Sequence, residues 1–259
     1  MIGYGRRDFL RTLAVGLAAL PAAKLAAQTP ESDQITDVVL ANKILATHQI
    51  FDAYGHVSVR SERNPQRYLM ARSLAPELVT AGDILEYDLD SNVIGGKSPA
   101  LFLERFIHGE IYKARQDVKA VVHCHTPSLI PFGVTESPLR PVFGLAGFLA
   151  EGVPVFEIRK TAGMTDLLIR DATRGRALAQ TLGNKPVALM RGHGAVVVGS
   201  SLPVTVGRCI YLDTNARVQQ QAIALGGKIT YLTPEEGKQS VADDYRRAWE
   251  LWRHQALSK

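Results

Sequence analysis

Only two cysteines, Cys124 and Cys209, occur in the 259 residues, too few for a disulfide framework. Both read as buried thiols, although an oxidising compartment would let them pair if the fold brought them together. The apolar stretch near the start, residues 13–20, is diluted with Ala and Gly and falls well short of the roughly 20 residues of a membrane span. No basic, aromatic-interleaved patch is present, so the footprint of a nucleic-acid binder is missing. No internal repeat, low-complexity block or Pro/Ser-rich linker divides residues 33–259. They read as one domain, long enough to bury a substantial core.

What is present begins with an address. Residues 1–27 combine a basic start (Arg6, Arg7, Arg11), the short apolar stretch and small residues at Ala22, Ala23, Ala26 and Ala27, the three parts of an export signal. The adjacent arginines followed by Asp8, Phe9 and Leu10 resemble the twin-arginine type, which carries folded proteins to the periplasm. An amphipathic or anchoring helix is the other reading. The segment holds four basic residues against Asp8, so it accounts for +3 of the net +5 and leaves +2 for the remainder. The basic pI therefore says little about partners.

Periodicity predicts a helix opening after Ser32, and short strands over 56–60, 67–71 and 84–90. Ser98 and Pro99 suit the start of a helix running to about Arg115. A strand over 120–125, a Pro- and Gly-rich loop, a strand over 153–158 and a helix over 166–182 stopped by Gly183 follow. "PVALMRGHGAVVVG" reads as two strands folded around His193, and a helix over about 203–225 ends at Gly226 and Gly227. "TPEE", residues 233–236, has capping-box spacing for a last helix carrying Trp249 and Trp252. Short strand connections mixed with capped helices predict an α/β fold: a three-layer α/β/α arrangement around a mostly antiparallel or mixed sheet.

The candidate chemistry starts at "VVHCHTP", residues 121–127. Side chains alternate along a strand, so His123 and His125 share one face. Two imidazoles so placed can close on one ion, and equally can be satisfied or exposed histidines. His193 lies between Gly192 and Gly194, which permit a tight turn and close backbone approach; a hairpin that merely contains His fits as well. Three imidazoles together would leave a fourth coordination position open, as catalytic metal sites do. Glu104, beside the apolar positions 103, 106, 107 and 111, is a candidate acid/base if it faces inward, where burial would move its pKa toward neutrality. It could also be a solvated glutamate near a helix start. His108, one turn further on, could point the same way, with a surface placement favoured; His48 and His254 carry no signal.

"ERFIHGEIYKARQDVKAVVHCHTP" followed by "LMRGHGAVVVG" resembles the class II aldolase/adducin family, over about residues 35–225. The resemblance implies that His123, His125 and His193 bind a divalent cation, usually zinc and in some members manganese. It implies Glu104 as the acid/base, a central sheet between helical layers, and ring-shaped homotetramers with sites at subunit borders. The cation would stabilise the enediolate-like charge left when a carbon–carbon bond breaks.

The departures matter as well. Sugar-phosphate members read the phosphate with an Asn, a Thr-Gly pair and a Ser pair. Here His56 stands for the Asn, no Thr-Gly occurs near Arg72 and Ser73, and Phe102 and Leu103 replace the serines. Apolar groups cannot supply the hydrogen bonds of a phosphate dianion. A small, non-phosphorylated hydroxy acid is the expected substrate, its carboxylate gripped by Arg72 beside Ser73. "ARSLAPELV" looks like the branch containing decarboxylases of hydroxylated aromatic dicarboxylates, so decarboxylation is favoured over aldol cleavage. Tyr211 is either a further proton donor or a core residue. A non-catalytic adducin-like module and a binder of metal or small acids are the alternatives.

Overall fold

The computed structural model describes residues 30–96, 100–240 and 244–258, apart from the side chains of 30–32. The export signal and the Ser98–Pro99 helix start lie outside the described residues. In chain order the elements are α1 (Pro30–Thr47), β1 (His56–Arg60), β2 (Arg67–Ala71), β3 (Ile84–Asp88), α2 (Phe106–Ala114), β4 (Ala120–Cys124), α3 (Ile130–Val134), β5 (Val155–Phe156), α4 (Arg159–Ala162), α5 (Ala172–Leu182), β6 (Val187–Met190), β7 (Gly194–Gly199), α6 (Leu202–Leu225), α7 (Pro234–Ser240) and α8 (Arg246–Leu257). The strands form one seven-stranded sheet in the order β3-β2-β1-β4-β7-β6-β5. Every pairing is antiparallel except the edge pair β5–β6.

Alternation along β4 divides the core in two. Ala120, Val122 and Cys124 pack with Ile44 and Leu45 of α1, Leu212 of α6, and Trp249 and Trp252 of α8. Val121 packs on the opposite face with Ile107 and Ile111 of α2 and Leu178 and Leu182 of α5. The sheet is therefore the middle of three layers, as its mixture of apolar strands and capped helices predicts. On the second face α2 and α5 meet almost backbone to backbone. A Cβ on Gly175 would lie 2.6 Å from the Phe106 carbonyl oxygen, so only glycine fits there.

Several predicted boundaries move. The first helix opens at Pro30, so Ser32 lies inside it. From residue 100 on, the predicted helix gives way to a short 3-10 turn, Leu103–Arg105, and then α2. Glu104 takes φ −90° and ψ 16° in that turn, which is not helical. The strand predicted over 153–158 shrinks to two residues. The helix predicted from residue 166 starts at Ala172, where Asp171 accepts from the Arg174 backbone N–H. The caps at the other end of the chain hold. Ser201 accepts from Val204 N–H, Gly226 ends α6, and Thr233 and Glu236 exchange the two hydrogen bonds of a capping box. Cys124 and Cys209 are free and buried. No helix among the described residues is long and apolar enough to cross a membrane.

Candidate metal centre

The central strands bring the histidines together. β4 pairs with β7, placing Cys124 opposite Ala195, so the turn between β6 and β7 arrives beside the end of β4. That turn needs both of its glycines. Gly192 takes φ +64°, a region costly for other residues. A Cβ on Gly194 would sit 2.0 Å from the Cys124 carbonyl oxygen. His193, held between them, comes within 3.1 Å of His125, nitrogen to nitrogen. His123 Nε2 lies 3.0 Å from His125 Nε2. Glu104 completes the group, its Oε2 3.4 Å from Nε2 of both His123 and His193. The four ligand atoms all lie within 4.8 Å of one another.

Backbone groups orient these side chains. The Nδ1 atoms of His123 and His193 lie 3.0 Å and 2.9 Å from the carbonyl oxygens of Ala195 and Leu167. A carbonyl can only accept, so each Nδ1 carries a proton, and in the neutral ring each Nε2 is left with a bare lone pair. His125 can donate to one of those two nitrogens and not to both. With all three rings neutral, at least one close nitrogen pair is therefore lone pair against lone pair, an arrangement that a bound cation resolves. The donor set fits. A tetrahedral ion with nitrogens at about 2.0–2.1 Å spaces them by about 3.3–3.4 Å, near the observed 3.0 and 3.1 Å.

Glu104 is buried, and its other oxygen, Oε1, accepts the Ile169 backbone N–H at 2.9 Å. Burial alone would raise its pKa, as the sequence suggests. Charge and N–H donation from His123 and His193, present when those rings are protonated in the metal-free site, outweigh burial and hold the carboxyl well below its ordinary value. The expected shift toward neutrality is thus reversed. Burial and the neighbouring rings push His125 down to about 4, favouring its neutral, metal-binding form.

His56 is buried, with its ring 5.1 Å from that of His123 and 4.7 Å from that of Phe102. Arg72 is half-exposed at the end of β2, and its Nε donates to Asp83 at 2.7 Å. The backbone N–H of Ser73 donates to Ala100, tying that strand end to the segment that carries Phe102 and Glu104. Of the expected apolar wall only Phe102 turns inward, for Leu103 is 54% exposed.

One open reading is decided and another is corrected. Tyr211 packs against Tyr245 and Trp252 in the cluster that contains Cys124, on the sheet face opposite His123. It takes no part in this centre within one chain. His108, expected at the surface, is fully buried and hydrogen-bonded to His56 and Ser58. Sequence reasoning also missed the loop 166–171, whose Leu167 carbonyl and Ile169 N–H hold His193 and Glu104. Backbone atoms do that work, so no residue type signals it. A cavity of about 280 Å³ lined by Gln49, Asp52, His125 and Arg217 adjoins the centre. Larger cavities, about 670 Å³ beside Tyr211 and about 650 Å³ beside Arg60, touch none of the four residues.

The family model for the class II aldolase and adducin N-terminal domain matches residues 36–220. The chain belongs to the class II aldolase and adducin family. Among relatives in this family, decarboxylase tropJ of Talaromyces stipitatus is 34% identical over 249 residues, covering 86% of this chain and 94% of its own length. A 3,4-dihydroxyphthalate decarboxylase of Arthrobacter keyseri is 28% identical, covering 84% of this chain and 90% of its own. A class II aldolase superfamily protein of Pseudomonas syringae has the same fold, with a TM-score of 0.74 at 20% identity over 89% of this chain and 94% of that one.

Proposed function

We propose that this protein is a divalent-metal-dependent carbon–carbon lyase acting on a non-phosphorylated hydroxy acid, with decarboxylation favoured over aldol cleavage. The convergence of His123, His125, His193 and Glu104, with two imidazoles tied by Nδ1 to backbone carbonyls, carries this reading. Three neutral nitrogens, with a fourth position left open beside the Glu104 carboxylate, suit zinc first and manganese second. When bound, such a cation supplies Lewis-acid stabilisation of the oxyanion charge that develops as the carbon–carbon bond breaks.

The chain's own groups do the rest. Ile169 N–H fixes Glu104 Oε1 and leaves Oε2 toward the three histidines. In that position the ionised carboxylate can take the proton of a substrate hydroxyl. Glu104 passes that proton to the carbon bearing the carboxyl group, and the neighbouring oxygen becomes a carbonyl. The bond to the carboxyl group then breaks, carbon dioxide leaves, and the electron pair passes into that carbonyl, leaving its oxygen ionised, which balances the step. Arg72, beside Ser73, is the candidate clamp for the substrate carboxylate. Phe102 offers no donor to a phosphate, which supports an unphosphorylated substrate. So do the relatives named as decarboxylases, one of them of 3,4-dihydroxyphthalate. A homotetramer, and twin-arginine export to the periplasm through residues 1–27, belong to the same proposal.

The test is direct. Purified protein loaded with zinc or manganese is incubated with hydroxylated aromatic dicarboxylates and, separately, with aldol substrates, and carbon dioxide is measured. Release that depends on metal and is lost in His123→Ala is expected. Full activity in His123→Ala would refute the assignment.

A further inference from the structure

A second buried polar group adjoins the four residues and is not explained by metal binding. β1 alternation turns His56 and Ser58 to the same sheet face as His123, and His56 sits directly opposite His123 in register. Facing them on α2 are His108 and Tyr112, four residues apart. Two strand residues advance about 6.6 Å and one helical turn of four residues about 6.0 Å, so the pairs meet rung for rung. His56 Nδ1 lies 2.6 Å from His108 Nε2, His108 Nδ1 lies 2.6 Å from Ser58 Oγ, and Ser58 Oγ lies 2.8 Å from the Tyr112 hydroxyl. All four residues are buried, the most exposed of them at 4%.

Each contact holds one proton, so the chain has a direction and the direction sets both tautomers. Burial pushes His108 down to about 3 and keeps it neutral; burial also raises the Tyr112 phenol, which keeps its proton. Among the described residues, the acceptor within reach of that phenol is Ser58 Oγ. Reversing the chain would leave the phenol O–H buried without an acceptor, which biases the two directions by about tenfold or more. The protons therefore run from Tyr112 to Ser58, to His108 Nδ1, and from His108 Nε2–H to His56 Nδ1. His56 is left with its proton on Nε2.

We propose that His56 is a substrate-contacting hydrogen-bond donor at this site, and that Tyr112, Ser58 and His108 are positioning residues that hold it in the Nε2–H tautomer. A protonated Nε2 has no lone pair for a metal, so His56 stays outside the ligand set although its ring lies against His123. It offers one N–H beside Phe102, which suits an acceptor oxygen of a carboxylate or its neighbouring carbonyl. The substrate half of this proposal rests on the lyase reading above; the tautomer half does not.

The experiment separates the two halves. Full-length protein carrying ¹⁵N-histidine is examined metal-free and zinc-loaded by long-range proton–nitrogen correlation spectroscopy, with His56→Gln identifying the His56 signals. His56 is expected as the Nε2–H tautomer in both states. Tyr112→Phe, which removes only the hydroxyl, is expected to move part of the population to the Nδ1–H form, and Ser58→Ala to do the same. Binding of 3,4-dihydroxyphthalate to zinc-loaded protein is expected to weaken about tenfold or more in His56→Leu and to recover largely in His56→Asn, which keeps a donor. An Nδ1–H tautomer in the unaltered protein overturns the chain, and so does a His56 tautomer unmoved by Tyr112→Phe. Equal affinity in His56→Leu overturns the substrate contact. Failure of the unaltered protein to bind 3,4-dihydroxyphthalate sinks the substrate assignment, while the spectrum still decides the direction of the chain.

Discussion

The glycines flanking His193 offer a sharp test of how backbone geometry sets metal affinity. In Gly194→Ala the new Cβ would lie 2.0 Å from the Cys124 carbonyl oxygen, 3.0 Å from its carbon and 3.1 Å from His125 Cα. Carbon and oxygen in ordinary contact stand more than about 3 Å apart, so β7 must retreat from β4 by about 1 Å at this point. Both neighbours of the clash belong to the centre, since His193 precedes Gly194 and His125 follows Cys124. Metal sites tolerate ligand displacements of only about 0.2 Å. Zinc affinity should therefore fall at least about 10- to 100-fold, the loss typical when the groups that orient ligands are disturbed. Overpacking should also cost about 1–3 kcal/mol of stability. Gly192→Ala is the control. Gly192 has φ +64° but no atom closer than 3.9 Å to a new Cβ, so it should lose about 1–2 kcal/mol through backbone strain alone and keep most of its zinc affinity. Chelator competition for zinc and urea denaturation of the metal-free proteins measure the two effects. Wild-type zinc affinity in Gly194→Ala, or equal affinity losses in both variants, would refute the reasoning.

Glu104→Gln keeps an oxygen able to accept from Ile169 N–H but loses the base. Turnover should fall about 10²- to 10⁴-fold while zinc content by elemental analysis stays near one per chain; undiminished turnover would remove Glu104 from the mechanism. Acid should destabilise the metal-free fold through His108. Its folded pKa, about 3, lies below the ordinary 6.5, so the unfolded chain takes up the proton first. This contribution is complete above about pH 6.5 and is lost as pH falls toward 3. By about pH 4.5 the loss is roughly 2–3 kcal/mol. Urea midpoints across that range should show this slope and flatten in His108→Gln. Tyr211→Phe should change turnover less than about twofold, because Tyr211 packs on the sheet face away from His123; a large drop with intact folding would mean that the tyrosine reaches a site the single chain does not reveal.

Much of the centre was legible before any coordinates. Period-two alternation placed His123 and His125 on one face, and a histidine between two glycines pointed to a turn with close backbone approach. The helix ends at Gly226 and around Thr233 and Glu236 were equally readable, because caps depend on local side-chain chemistry. The segment from 100 to 105 and the loop 166–171 were not. Both read as helix from composition, and tertiary contacts overrode that preference. Glu104 is held in a non-helical turn by Ile169 N–H, and Leu167 takes φ +69° where its carbonyl meets His193.

By itself the amino-acid order offered candidate ligands and a candidate acid/base, indicated most of the strands and several of the helix caps, and showed that two lone thiols could not build a disulfide scaffold. Those are consequences of side-chain type and local periodicity. Only the tertiary structure decided that β7 returns beside β4, and with it that His193 meets His125. It also decided that His108 lies in the core and that Tyr211 faces away. Strand order and backbone hydrogen bonds are settled by packing across the whole sheet, and carbonyl and amide groups, present at nearly every position, leave no mark of their role in the sequence.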